Sequence, residues 1–268
     1  MYLWRRLASQ KWWSDNEDGL HARAGNRLAT IERSGRKRLQ LEVSSPSRME
    51  LQRLTKQFGG RIEKLPRDWL KRFSREQKTE PIRIGKRLVI VRSAKDRQST
   101  KELIITVATA FGTAEHATTA MSLRMLEKLT RRWKPGWSIV DLGTGTGILA
   151  LAAKCFGANR VIGIDNDPTA ISTAKANARA NKIQGMRFLV GDVRRWRFPR
   201  NIDLVAGNLF SELLIEILPK LKAGRWMILS GILSNQERGV THALRRHKID
   251  IVQVRRRGKW VAILTAVR

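Results

Sequence analysis

An α/β fold is predicted for this chain: a mostly parallel sheet closed by an antiparallel hairpin, preceded by a small basic α+β module. Three observations carry that expectation. From Trp137 onward, short apolar runs alternate with helical patterns, the signature of βαβ units. The last two β-like runs, Asp250–Val254 and Trp260–Val267, are separated by a few residues around Gly258, too few for a helical crossover, so they should pair antiparallel. At 268 residues the chain also exceeds the commonest single-domain size, which leaves room for one large domain and a smaller one.

In chain order, residues 1–66 read as the small module, with strands at Leu28–Glu32 and Leu39–Val43 and a helix near Arg48–Phe58. Asp68–Arg75 reads as a linking helix. The runs Ile82–Val91 and Leu103–Val107 read as strands leading into the larger domain, with Ser93–Lys101 a loop between them. The division is therefore 1–66, a linker over 67–102, and a large domain over 103–268. Within the last, strands are expected at Ser138–Leu142, Arg160–Asp165, Met186–Val190, Asp203–Ala206 and Trp226–Ser230, which with the hairpin make a seven-stranded sheet. Helices are expected near Ile148–Phe156, Pro168–Asn181, Glu212–Leu221 and Asn235–Arg246. Asp167 before Pro168 supplies an N-cap side chain followed by proline in the first turn. A parallel sheet closed by a hairpin is the arrangement of Rossmann-like methyltransferases, whereas dinucleotide dehydrogenases usually continue in parallel.

Composition narrows the function classes. The 42% hydrophobic and 28% charged residues describe an ordinary globular protein. The charge balance is far from ordinary: 53 Lys plus Arg against 23 Asp plus Glu, a net +30. The excess is spread along the chain, with 25 basic and 11 acidic side chains in residues 1–100 and 28 and 12 in residues 101–268. Such a field attracts polyanions, nucleic acid first and an acidic membrane surface second. Cys155 is the one cysteine, so no intrachain disulfide, CxxC redox pair or Cys-rich metal cluster can form, and the four histidines show no ligand spacing. No run approaches the ~18 apolar residues of a membrane span, and the start MYLWRRLASQKWW lacks the apolar core of a secretory signal. A cytoplasmic monomer without membrane contact is expected. The short basic clusters Arg36-Lys37-Arg38, Arg194-Arg195 and Arg255-Arg256-Arg257 suit solvated faces or RNA contacts, and the nine tryptophans suit core or interface anchors.

The chemistry concentrates around Val140-Asp141-Leu142-Gly143-Thr144-Gly145-Thr146-Gly147-Ile148, a strand running into a glycine-rich turn and then a helix. Glycine allows the tight turn and the close approach of a ligand, and the helix N-terminus offers N–H groups suited to a carboxylate. The spacing after Asp141 is GxGxG rather than the GxGxxG of a pyrophosphate site, which favours S-adenosyl-L-methionine over NAD. Asp165 lies 22 residues past Gly143 at the end of the second strand, where a carboxylate accepts from ribose hydroxyls. Asp192, ending the third strand, stands where it can accept from the adenine amine or simply cap a turn. The fourth strand ends in Ala206-Gly207-Asn208-Leu209-Phe210, where the Asn208 carboxamide can hold a nitrogen nucleophile by accepting its hydrogen bonds. Phe111-Gly112-Thr113-Ala114-Glu115-His116-Ala117-Thr118-Thr119 combines glycine, hydroxyls, a carboxylate and an imidazole ahead of a helical pattern, as a loop over the cofactor would.

With these segments in view, the run AFGTAEHATTAMSL, followed in order by VDLGTGTGILALAA, GIDNDPTAI, GNLFSELL and LSGILSNQ, resembles the bacterial PrmA family, which trimethylates amines of large-subunit ribosomal protein eleven. The match runs from about Trp69 to Arg268 and includes PIRIGKRLVIV. It implies a cofactor site using Thr119 in the loop, Gly143 in the first turn, Asp165 on the ribose and Asn208 near the reacting centre, with an N-terminal module that recognises the ribosomal protein. The loop departs from the family's GTGTHPTT pattern at Ala114, Glu115 and Ala117.

The expected cofactor-binding set is thus Phe111, Thr118, Thr119, Asp141, Gly143, Gly145, Gly147, Asp165, Asp192 and Asn208, with Asn208 and His116 as candidate catalytic residues. Methyl transfer from a sulfonium to an amine is an in-line displacement that needs collinearity and exclusion of water more than a strong base. His116 or Glu115 is a candidate relay for the amine's proton. Because a +30 enzyme repels a lysine-rich target, the expected substrate is a ribosomal protein whose charge RNA neutralises. Two alternatives stand beside this: an RNA-base N-methyltransferase using Asn208, with Phe210 as the stacking partner, and a non-catalytic RNA-binding protein of the same fold.

Overall fold

A computed structural model describes residues 1–24, 28–31, 38–65, 81–93, 99, 102–106, 114–222 and 224–267. The expected linking helix Asp68–Arg75 lies outside the described residues, as does Val107. The chain divides into two compact units, Met1–Lys78 and Thr79–Arg268.

The first unit runs β1 (Tyr2–Ser9), α1 (Gln10–Ala24), β2 (Leu28–Ile31), β3 (Arg38–Ser45), α2 (Arg48–Phe58) and β4 (Arg61–Lys64). Its four strands are all antiparallel neighbours in the order β2-β3-β1-β4, the ferredoxin-like βαββαβ topology. Leu51, Leu54 and Phe58, spaced at helical intervals on α2, bury one face against Trp4, Leu41 and Val43 of the sheet. Ser47 caps α2 by accepting from the Glu50 amide, with Glu50 at the capping-box position.

The second unit opens with β5 (Ile82–Ile84) and β6 (Leu88–Val91), joined antiparallel across a turn at Gly85, where φ is +58°. Ile82–Val91, read from sequence as one strand, is thus a hairpin, because Gly85-Lys86-Arg87 reverses the chain midway. β7 (Glu102–Ile104) adds parallel to β6. Then follow α3 (Ala117–Thr130), β8 (Ser138–Leu142), α4 (Ile148–Cys155), β9 (Arg160–Asp165), α5 (Pro168–Ala180), β10 (Met186–Val190), β11 (Ile202–Asn208), α6 (Ser211–Leu221), β12 (Gly224–Leu233), α7 (Glu237–Arg246), β13 (Ile249–Arg257) and β14 (Trp260–Val267). These last seven strands form one sheet in the order β10-β9-β8-β11-β12-β14-β13. β8 through β12 are parallel, and β14 inserts antiparallel between β12 and β13. This is the Rossmann-like methyltransferase sheet.

Its central strands are buried on both faces, so successive side chains feed two cores. Ile139, Ile228 and Leu264 join the core under α3, α4 and α5, while Val140, Leu229 and Ile263 join the core under α6 and α7. The order reverses between β8 and β11: β9 and β10 build out on one side of β8, β11 and β12 on the other. The carboxyl ends at such a switch point are where open α/β sheets bind ligands.

Candidate active site at the switch point

β8 delivers a turn whose glycines at 143, 145 and 147 all have positive φ, +65°, +54° and +79°. Side-chain space is closed at both ends of it. A Cβ on Gly143 would lie 2.5 Å from Leu209 Cδ2, and one on Gly147 would lie 3.0 Å from Ala174 Cβ. The turn is stitched to its neighbours: the Thr144 amide donates to Ile164 O at 2.9 Å, and the Gly147 amide to Thr144 O at 2.8 Å. The Gly145 amide donates to Asp165 Oδ2 at 2.9 Å. The N–H groups of Gly145 and Gly147 are therefore engaged within the protein.

The three acids sit in different environments. Asp141 is 1% exposed; its Oδ2 accepts from Thr144 Oγ1 at 2.7 Å and from the Ala150 amide at 3.3 Å, tying the end of β8 to α4. Its Oδ1 has no hydrogen-bond partner among the described residues. Burial, with a smaller push from the Asp165 charge, raises the Asp141 carboxyl to about 7, against the pull of the Thr144 and Ala150 hydrogen bonds. Asp165 is half-buried; it accepts from Gly145 through Oδ2 and from the Asp167 amide through Oδ1 at 3.1 Å, leaving further lone pairs on each oxygen. Parallel pairing sets Val190 against Asp165, and the Gly191 amide donates to Asp165 O, so Asp192 stands beside Asp165. Asp192 also caps its own turn, accepting from the Arg194 amide at 2.9 Å through Oδ1.

Across the gap, Asn208 ends β11 with its carboxamide pinned. Ser230 Oγ donates to Asn208 Oδ1 at 3.1 Å, and Ser122 Oγ lies 2.7 Å from Ser230 Oγ. Because a hydroxyl has one hydrogen, Ser230 spends its own on Asn208 and Ser122 donates to Ser230. Ser122 and Ser230 are fully buried, so the relay from α3 through β12 to β11 is shielded from water. The carboxamide oxygen keeps a second lone pair. After Ser230, the β12–β14 register shifts at Gly231, where φ is +85° and a Cβ would meet Leu209 O at 2.5 Å, a bulge at the rim of the site. Phe210, immediately beyond, is 77% exposed.

Of the loop, Phe111 lies outside the described residues. Glu115 pairs with Arg92 at 2.5 Å. His116 Nδ1 lies 2.7 Å from Thr118 Oγ1, and its ring stacks edge-on to Trp260 at 5.2 Å. Burial and then the Lys259 charge lower the His116 pKa, so the imidazole is neutral at pH 7. Thr118 and Thr119 are fully buried, and Thr119 Oγ1 has no hydrogen-bond partner among the described residues. Sequence reasoning missed Ser122, Ser230 and Asn177. Asn177 accepts from the Thr106 amide and hydroxyl through Oδ1 and donates to Thr146 O through Nδ2, fastening the approach to the loop onto the glycine turn. The buried carboxamide within α5 was its one sequence signal.

The profile of the ribosomal protein L11 methyltransferase (PrmA) family matches residues 40–268. The chain belongs to that family. The ribosomal protein L11 methyltransferase of Symbiobacterium thermophilum is 36% identical over 195 residues, covering 69% of this chain and 61% of that protein. That of Desulforapulum autotrophicum is 39% identical over 161 residues, 58% of this chain and 52% of that one. The chain therefore spans about three fifths or less of the length of these relatives. Among solved structures, the ribosomal protein L11 methylase of Lactobacillus delbrueckii subsp. bulgaricus superposes with a TM-score of 0.64 at 26% identity, covering 71% of this chain and all of that one.

As a member of the PrmA family, the chain has its loop, its glycine turn and its Asn208 strand at one edge of one sheet. A ligand there meets carboxylates on the β9–β10 side and a neutral carboxamide on the β11 side. No helix among the described residues is long and apolar enough to cross a membrane.

Proposed function

We propose that the chain is an S-adenosyl-L-methionine-dependent N-methyltransferase acting on a lysine or N-terminal amine of a large-subunit ribosomal protein. One observation carries the reading: Asp165 and Asn208 stand on either side of the switch point, with the Gly143 turn between them. The donors and acceptors fit the cofactor. Asp165 has lone pairs left for two ribose hydroxyls, Asp192 beside it can accept from an adenine amine, and the turn with the α4 N-terminus favours a carboxylate. Thr118 and Thr119, in the first turn of α3, and Phe111 ahead of it complete the cofactor set, Thr119 with an unmet buried hydroxyl. Asp141 acts through the turn by holding Thr144 and Ala150.

S-adenosylmethionine supplies a methyl group on a sulfonium, and the protein's task is alignment. Asn208 Oδ1, held by Ser230, accepts from the substrate N–H and turns the nitrogen lone pair toward the methyl. The proton leaves the amine before transfer, favoured by burial of the ammonium beside a positive centre. His116, whose Nδ1 faces Thr118 Oγ1, is the candidate to receive it. The N-terminal unit recognises the ribosomal protein, and RNA neutralises the charge repulsion between a +30 enzyme and a basic substrate.

The test is incubation with methyl-labelled cofactor and ribosomal particles, followed by separation of protein from RNA. Label in one small ribosomal protein, lost in Asp165→Ala, supports the proposal; absence of label together with absence of cofactor binding ends it. The exposed Phe210 beside Asn208 favours a second reading, a flipped RNA base as the nitrogen substrate, and label in the RNA fraction would establish that instead.

A further inference from the structure

The N-terminal edge of the seven-stranded sheet, at the opposite ends of the same strands, holds a cleft of about 320 Å³ lined by Trp133, Lys134, Trp137, Asp203, Arg225 and Trp226. Trp137 immediately precedes β8, Asp203 is the second residue of β11, and Arg225 and Trp226 open β12. Trp133 stands edge-on to Trp137 with centroids 5.3 Å apart, and Trp226 is tilted against Trp133 at 6.5 Å. Trp133 and Trp226 are half-buried, so each keeps ring surface open to a ligand.

Two features say what that ligand is. Trp137 is 6% exposed, and its buried Nε1–H has no acceptor among the described residues. An orphaned buried donor is rare and costs about 1–3 kcal/mol, which an acceptor on a ligand removes. The rim is cationic: Lys134 and Arg225 are exposed with no ion-pair partner among the described residues, and Arg160, paired with Ser138 at the start of β9, is exposed on the same edge. Asp203, the one acid of the six, is committed elsewhere, its Oδ2 accepting from Ser138 N and Oγ at 2.8 Å each.

We propose that this cleft binds single-stranded RNA. One base stacks on the Trp133 and Trp226 surface, a carbonyl or ring nitrogen of the base accepts from Trp137 Nε1–H, and neighbouring phosphates meet Lys134 and Arg225. A methylated ammonium, the usual occupant of an aromatic cage, fits less well: it brings no acceptor for the indole N–H and is repelled by the rim. The proposal locates on the molecule the RNA contact suggested above by charge.

The experiment is fluorescence-anisotropy titration of the full chain with a fluorescein-labelled, unstructured oligoribonucleotide of about ten nucleotides. The variants are Trp226→Ala, Trp226→Phe and Arg225→Ala, with circular dichroism and S-adenosylmethionine binding as folding controls. The expected result is a roughly tenfold or greater loss of affinity for Trp226→Ala, retention in Trp226→Phe, and a smaller, salt-dependent loss in Arg225→Ala, all with cofactor binding unchanged. If the parent binds RNA and all variants bind equally well, the cleft is overturned while a diffuse charge contact stands. If no RNA binds at all, both fail, and labelled methyl transfer still judges the enzyme reading separately. Should Trp226→Ala itself unfold, Arg225→Ala and quenching of tryptophan emission by RNA decide in its place.

Discussion

The two edges of the seven-stranded sheet are built from the same strands and behave as opposites. At the carboxyl edge, β8, β9 and β11 run into glycines, acids and an asparagine whose polar atoms are mostly spoken for: Asp141 by Thr144 and Ala150, Asp165 by Gly145 and Asp167, Asn208 by Ser230. At the amino edge, Trp133, Lys134 and Trp137 lead into β8, Asp203 lies near the start of β11, and Arg225 and Trp226 near that of β12, around a cleft whose two cations have no ion-pair partner among the described residues. One edge is pre-organised in detail and neutral to acidic; the other is aromatic and basic. Geometry that must align a nitrogen with a methyl needs locked rotamers, whereas stacking and phosphate contact tolerate many poses.

Four variants test that contrast at the carboxyl edge. Asn208→Ala should have the largest effect, lowering turnover on the order of a hundredfold while cofactor affinity changes little, as read by single-turnover methylation against calorimetric binding. An equal loss of both would mean that Asn208 holds the cofactor and not the nucleophile. Asp165→Ala should weaken cofactor binding on the order of 10- to 100-fold, because hydrogen bonds to a charged acceptor are lost and Gly145 is left without its partner. Unchanged affinity would remove the ribose assignment. Ser230→Ala frees the Asn208 carboxamide and orphans Ser122; turnover should fall about tenfold, with a loss of roughly 1–2 kcal/mol in urea stability. Ser230→Thr, which restores the hydroxyl, should recover turnover if space allows, and stability falling without turnover would reduce the relay to structure. None of these four should alter RNA affinity, and Trp226→Ala should leave cofactor binding and turnover unchanged.

The smallest effect concerns pH. Asp141, raised from its ordinary range to about 7 in the fold, stays protonated there while the unfolded chain ionises, so the stability it contributes is full below about pH 4 and is lost as pH rises to about 7. Asp141→Asn should flatten this component. Urea midpoints measured from pH 4.5 to 7.5 should fall more for the parent than for the variant, and parallel curves would show that the carboxyl does not titrate in that window.

Legibility followed the range of the interactions. Ser138–Leu142 and Arg160–Asp165 were readable to the residue because a parallel strand buried on both faces is largely an apolar run bounded by turn residues, and Met186–Val190, the edge strand, because Gly185 and Gly191 bracket a short apolar run. Tyr2–Ser9 and Gln10–Ala24 were not, because arginines on the β1 strand and polar residues along α1 blur the period, and burial of Trp4 depends on β3 and α2 arriving later in the chain. Asp141, Asp165 and Asn208 are legible from local motif, spacing and strand-end position, whereas Ser122 and Ser230 are 108 residues apart and could only be joined by the fold.

By itself, then, the sequence determined the alternation of elements, the glycine turn, the acids that end its strands and the basic character of the whole, since each is written in local spacing and composition. Tertiary structure alone decided which strand ends share an edge, that Asn208 is held through Ser230 to Ser122, and that Trp133, Trp137 and Trp226 leave a cleft at the far edge. The physical reason is that strand order and burial come from long-range hydrophobic packing, which joins residues that no local pattern connects.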